Sequence, residues 1–139
     1  AEVTVVVGAV SVNPPENVKT INAVSAQEMH KAVMQNLSDK TIYVGAAAVA
    51  DYRPKTVADN KIKKTDESLT IELERTTDIL ADVSKNRHNG LIVVGFAAET
   101  NDVITYARSK MERKNLDMIV ANDITRKGAG FGSEANQAT

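Results

Sequence analysis

Three lysines, Lys61, Lys63 and Lys64, stand almost side by side in a polar stretch that also carries Pro54, with Ile62 as the apolar residue among them. Ammonium groups on such a loop can swing over a bound anion as a flap, and they can equally form a solvated basic face. Lys110 and Lys114 are four apart and share one helical face, so they point two positive charges the same way; cations in a last helical turn also complement the helix dipole. Asp51 follows the small-residue run Gly45, Ala46, Ala47, Ala48, with Arg53 two positions on. A carboxylate there accepts hydrogen bonds from a ligand or caps its own turn. Phe96 is placed to stack on a ring or to join the core. His30 and His88 have no second histidine or cysteine at ligand spacing, so no metal site is assigned. Neither a G-x-x-x-x-G-K-[ST] phosphate loop nor a G-x-G-x-x-G fingerprint occurs.

These residues need elements to hold them. The β-branched run 3–7 ends at Gly8 as a buried parallel strand would, and 18–21 reads as a second short strand after Asn13, Pro14 and Pro15. Ser25 and Glu28 form a capping box, and Met29, Val33 and Leu37 recur on one face, predicting a helix over 26–38. Ile42, Tyr43 and Val44 read as a strand ending at the small-residue corner. Alternation over 69–73 predicts a half-exposed strand, and 78–85 a short helix begun by Thr76 or Thr77. A buried strand over 91–96, a helix over 101–114 and a strand over 118–121 complete the pattern, before a loop spaced by Gly128, Gly130 and Gly132. Strands alternating with helices imply an α/β, Rossmann-like fold, a mostly parallel sheet with helices on both faces. In such sheets ligands sit beyond the carboxyl ends of the strands, here after Val44, Val94 and Val120.

The chain has 139 residues, the size of one domain spanning 1–139, with hydrophobic and charged fractions of 42% and 25%; both are ordinary for a packed soluble chain. A net charge of −1 supplies no field for nucleic acid or an anionic membrane. With no cysteine, disulfides, thiolate metal sites and thiol nucleophiles are out of reach, which fits a cytoplasmic location. The longest apolar runs fall short of the roughly 18 to 20 residues of a membrane span. The chain opens directly in a strand and stops without a closing element, so it is expected to be a piece of a longer protein.

In order along the chain stand GAAAVADYRP, NKIKK, TDIL, VVGFAAET, K-x-x-x-KNLDMIVAND and GFGSEAN. That series resembles the bacterial phosphopantothenoylcysteine synthetase domain from nearly one end to the other, and chance does not supply six motifs in register. The resemblance implies a ligase in coenzyme A biosynthesis. The carboxylate of 4′-phosphopantothenate attacks the α-phosphate of CTP, pyrophosphate leaves, and the amine of L-cysteine then attacks the acyl cytidylate and releases CMP. Mg2+ would accompany the triphosphate.

Carried over position by position, Gly45, Ala46 and Ala47 correspond to backbone contacts for the nucleotide and Ala48 to a contact near the acyl group. Asp51 corresponds to a ligand-binding carboxylate and Lys61 to the flap lysine over the phosphates, with Lys63 and Lys64 as supporting charge. The segment Thr77, Asp78, Ile79 and Leu80 would lie along the nucleotide, Phe96 beside it, and Lys110 with Lys114 on its phosphates. Thr77 and Ala9 stand where many members carry proline. The family's first strand, its glycine-rich turn and an asparagine that helps hold the acyl intermediate would lie ahead of Ala1, as would a flavin-dependent decarboxylase domain often fused to it; a homodimer is also implied. Two other readings remain beside the ligase: a non-catalytic nucleotide-binding or assembly module, and, less favoured without its glycine fingerprint, a dinucleotide-dependent oxidoreductase.

Overall fold

The computed structural model describes residues 1–63, 68–99 and 102–123. Lys64 and the GFGSEAN loop with its spaced glycines lie outside the described residues. In chain order the elements are β1 (Thr4–Val7), β2 (Lys19–Asn22), α1 (Ala26–Gln35), β3 (Ile42–Gly45), β4 (Tyr52–Pro54), β5 (Leu73–Arg75), α2 (Ile79–Lys85), β6 (Ile92–Glu99), α3 (Val103–Arg113) and β7 (Met118–Asp123).

The strands form two parallel groups and one antiparallel hairpin. β1 pairs with β2, β3 pairs with β6 and β6 with β7, all parallel, while β4 and β5 pair antiparallel. This is the α/β, Rossmann-like arrangement the alternating pattern predicts. The two parallel groups share one core. Val33 and Leu37 of α1 meet Ile79, Leu80 and Val83 of α2 over Leu91, Val93 and Leu116, with Val6 of β1 and Tyr43 of β3 packed against the cluster. A smaller cluster of Ala97, Ala107 and Ala121 seats α3 on β6 and β7. Full burial of a Val, Leu or Ile side chain of the larger cluster contributes roughly 1.5 to 3 kcal/mol.

The three helices therefore lie on one side of the β3-β6-β7 sheet. Val93, Gly95 and Ala97 of β6 face them, and strand alternation turns Ile92, Val94 and Phe96 the other way. Among the described residues no helix covers that second face, so the expectation of helices on both faces is met on one face only.

Local chemistry sets the element ends. The Ser25 hydroxyl accepts from the Glu28 amide, and the Glu28 carboxylate accepts from the amides of Ser25 and Val24, the predicted capping box. Helix α1 stops at Gln35 rather than running to position 38, because the Asn36 amide group donates to the Ala32 carbonyl that would otherwise continue the ladder. Helix α2 is begun by Asp78, not by Thr76 or Thr77: the Asp78 carboxylate accepts from the Ala81 amide at 3.0 Å. The strand expected over 69–73 is displaced to Leu73–Arg75, with Leu69 and Ile71 exposed, since β4 offers only three residues to pair with. Among the described residues no helix is long and apolar enough to cross a membrane.

Candidate functional site

The carboxyl ends of β3 and β6 open onto a cavity of about 530 Å³. Its walls carry Gly45, Ala46, Ala47, Asp51, Thr77, Asp78, Ile79, Leu80, Phe96, Lys110 and Lys114. Residues separated by up to seventy positions are thus gathered at one end of the sheet, as open parallel sheets gather their ligand contacts.

The small-residue corner does two things. A Cβ at Gly45 would lie 3.1 Å from Tyr43 Cε1 and 3.2 Å from Leu80 Cδ1, so this glycine lets α2 approach the sheet closely. Ala46 and Ala47 instead stand exposed at the cavity, where their short side chains leave the backbone open to a ligand. The packing and binding readings of the run fall on different residues.

The cationic wall comes from α3. Lys110 Nζ donates to the carbonyl oxygen of Phe96 at 2.9 Å, and Lys114 Nζ pairs with the Asp78 carboxylate at 2.7 Å. Helix α3 ends at Arg113 with Lys114 as its C-cap, and Asn115 then takes a left-handed backbone (φ 50°) that returns Leu116 to the core; asparagine tolerates that conformation better than most residues. The Lys114 side chain is only 17% exposed, so its ammonium is held at the cavity rather than waving in solvent. Both lysines also sit where the α3 dipole favours cations.

Asp78 joins these pieces. Burial works to raise its pKa, but the hydrogen bond from Lys114, the Ala81 amide and the charges of Lys114 and Lys110 outweigh it and hold the carboxyl below its usual range. It therefore caps α2 and anchors Lys114 as a carboxylate. Burial, and then the Asp78 charge, push the Tyr43 phenol up. Asp51 is exposed at the rim. Its carbonyl accepts from the Thr76 amide at 2.9 Å, while its carboxylate has no hydrogen-bond partner among the described residues, so a turn cap is not what employs it.

Two predicted residues stand apart. Ala48 lines a neighbouring cavity of about 360 Å³, together with Gly8, Ser25, Tyr52 and Arg53. Lys61 lines neither cavity; it is exposed on its loop without a partner among the described residues. Phe96 is 39% exposed and so is not the core residue its apolar strand allowed.

Among the further cavity residues that escaped the reading of the sequence are Thr76 and Tyr43. Thr76 borders both cavities with a buried hydroxyl that has no partner. Tyr43 lines the larger one, and its place two residues before Gly45 on the same side of β3 was the available signal. Among the described residues no group of three or more His, Asp or Glu is placed to hold a metal. A Mg2+ that arrives on a triphosphate needs only one or two carboxylates, and the Asp51 carboxylate at the rim, whose charge also acts on Arg75, is of the type that demand calls for.

Comparison with known proteins places this arrangement. The chain is 52% identical over 141 residues to the coenzyme A biosynthesis bifunctional protein CoaBC of Vibrio vulnificus strain YJ016, covering 100% of this chain and 35% of that protein. It thus spans about a third of the length of the curated relatives it matches. The crystal structure of the C-terminal domain of a CoaBC protein superposes with a TM-score of 0.75 at 43% identity, over 88% of this chain and 56% of that one. A DNA/pantothenate metabolism flavoprotein from Streptococcus pneumoniae shares the fold at a TM-score of 0.74 and 20% identity, over 99% of this chain and 74% of that one. The family model for the DNA/pantothenate metabolism flavoprotein C-terminal domain matches residues 1–139. Matched along its whole length and similar throughout to CoaBC proteins, the chain belongs to the DNA/pantothenate metabolism flavoprotein C-terminal domain family.

Proposed function

We propose that this chain is the nucleotide-binding part of a CTP-dependent phosphopantothenate–cysteine ligase acting in coenzyme A biosynthesis. The observation that carries the reading is the single cavity in which the open Ala46–Ala47 backbone, the Asp78-anchored Lys114 and Lys110 face one another. A triphosphate fits that chemistry. Backbone groups at the strand ends take the base and sugar, and the two ammonium groups take the phosphates, where fixed positive charge counters the charge developing on the attacked phosphorus.

In this reading the carboxylate oxygen of 4′-phosphopantothenate attacks the α-phosphorus of CTP, the α–β bridging bond breaks and pyrophosphate leaves. The amine of L-cysteine then attacks the acyl carbon, loses a proton and expels CMP, leaving the amide. The adjoining cavity at Ala48 gives the acyl arm a place beside the nucleotide, with the Thr76 hydroxyl between the two. Asp51 would hold a Mg2+ carried by the triphosphate, which supplies charge neutralisation at the phosphates. Lys61 lies outside the cavity, so its role requires the loop to close over bound nucleotide.

The word bifunctional in the relatives' name supports a second, flavin-dependent decarboxylase domain in the full-length protein. A homodimer is supported by the β4–β5 hairpin, whose Tyr52 and Leu73 are exposed along with Leu69 and Ile71 in the segment that leads into β5, since an isolated two-stranded hairpin is marginal.

Pyrophosphate release by the full-length protein tests the reading. Lys61→Gln should slow it by about two orders of magnitude, on the scale of losing one preorganised charge; a near-normal rate removes Lys61 from the mechanism. The exposed, unpartnered Lys61 also favours a second reading, a nucleotide-binding or assembly module without catalysis. Binding of CTP without pyrophosphate release on adding both substrates would select it.

A further inference from the structure

Tyr43 and Gly45 stand two apart on β3, so both turn to the side of the sheet that α2 covers. A Cβ at Gly45 would lie 3.1 Å from Tyr43 Cε1 and 3.3 Å from its hydroxyl oxygen. The phenol therefore sits directly beneath the small-residue corner, and a larger residue at position 45 would cover its hydroxyl. The ring is held in place by packing against the cluster that contains Leu80 and Val93. Tyr43 lines the larger cavity, and among the described residues its hydroxyl makes no hydrogen bond. A tyrosine hydroxyl drawn out of water normally finds a partner.

That hydroxyl keeps its proton. Burial, and then the charge of Asp78, push the phenol up, so it is present as a donor. Asp78 supplies the complementary group in the same cavity. Its carboxyl is held below the usual range and is ionised. One of its oxygens accepts from the Ala81 amide and the other pairs with Lys114, whereas an ionised carboxylate offers about four acceptor sites. Acceptor capacity is left over.

A neutral donor near a carboxylate acceptor selects its ligand group by chemistry. A phosphate oxygen or a base carbonyl only accepts, and Asp78 repels both. An amino group would leave the phenol proton without an acceptor. An alcohol accepts with its oxygen and donates with its proton, so it satisfies both groups at once. Location agrees with that choice. Asp78 holds Lys114 at 2.7 Å, so the donor and acceptor adjoin the cationic wall, and in a nucleotide the sugar is the part joined directly to the phosphates.

We propose that Tyr43 and Asp78 form a sugar subsite, in which the phenol donates to a hydroxyl of a bound ribonucleotide, at C2′ or C3′, and the Asp78 carboxylate accepts from that same hydroxyl. Tyr43 is then a specificity residue: it reads the sugar and selects ribonucleotides over their deoxy counterparts. The inference rests on the reading of the cavity as a nucleotide site. It adds a part of the ligand that neither the small-residue corner nor the lysines of α3 distinguish.

Calorimetric titration of the full-length protein and of Tyr43→Phe with CTP, 2′-deoxy-CTP and 3′-deoxy-CTP, each with Mg2+, tests the subsite. The parent should bind one of the two deoxynucleotides about 10-fold or more less tightly than CTP, because the missing hydroxyl both gives and takes a hydrogen bond. Tyr43→Phe keeps the ring and its packing, so its thermal midpoint should hold. Its affinity for CTP should fall about 3-fold to 10-fold. Its affinity for that same deoxynucleotide should match the parent's, since the phenol has no partner there to lose. Equal weakening of all three nucleotides would mean that the phenol acts through packing or on another part of the ligand, and overturns the proposal. A parent that binds all three alike, or a variant that binds CTP as the parent does, overturns it too. A parent that binds no CTP fails in a distinguishable way: it refutes the nucleotide reading itself, and the subsite falls with it.

Discussion

Removing the Asp78 carboxylate should separate its two structural roles. The side chain accepts from the Ala81 amide as the cap of α2 and pairs with Lys114 at 2.7 Å. Loss of a cap costs about 0.5 to 2 kcal/mol. The ion pair adds about 0.2 to 1 kcal/mol, kept at the exposed scale because the Asp78 side chain is 48% accessible. Asp78→Ala should therefore lower the unfolding free energy by about 0.7 to 3 kcal/mol, the range bounded by those two contributions. Asp78→Asn keeps a good capping oxygen and should lose only the ion-pair part. Urea unfolding of the full-length protein and both variants, followed by circular dichroism, measures the two losses. The sign with pH follows from the depressed carboxyl. Its stabilisation is fully present above the unfolded value of 3.8 and fades as pH falls through the still lower folded value, so the gap between parent and Asn variant should narrow in acid. Equal losses in Asn and Ala would show that the cap contributes nothing, and a gap that widened in acid would contradict the assigned charge state.

Other consequences are quick to check. Gly95→Val would set a Cβ 2.8 Å from Leu116 Cδ1 and 2.9 Å from Leu80 Cδ2, so overpacking between α2 and β6 should destabilise by about 1 to 3 kcal/mol in the same unfolding assay. Ser25→Ala removes half of the capping box of α1 and should cost about 1 kcal/mol, whereas Gln at position 28 in place of Glu28 should cost less. Thr76→Val removes the unpartnered hydroxyl between the two cavities; stability should hold or rise slightly, and weaker binding of 4′-phosphopantothenate in the presence of CTP would identify that hydroxyl as a ligand contact.

The sequence made some of this legible and withheld the rest for physical reasons. Runs of β-branched residues marked β1, β3, β6 and β7, because a strand buried in a parallel sheet is apolar on both sides. That same property hid the bare face: Ile42, Val44 and Ile92 read as buried whether or not anything covers them. The capping box at Ser25 and Glu28 marked the start of α1, since its chemistry is local. The end of α1 depended on a single Asn36 side chain turning back to Ala32, which periodicity does not encode. The β4–β5 pairing was displaced from the alternating segment because a hairpin's register depends on its partner, and Leu69 and Ile71 found none among the described residues. Of the candidate site, the strand ends, the Thr77 to Leu80 segment and the two lysines of α3 came together as their order along the chain suggested. Lys61 did not, because a polar loop carries no apolar anchor to fix its position.

The central claim is that a triphosphate binds between the small-residue corner and the lysines of α3. Calorimetric titration of the full-length protein with CTP and Mg2+ tests it directly, run beside Lys110→Gln and Lys114→Gln. Saturable binding by the parent, weakened about 10-fold or more in each variant on the scale of a lost charge-assisted contact, is the predicted result. Binding that is undiminished in both variants would place the nucleotide elsewhere and contradict the account.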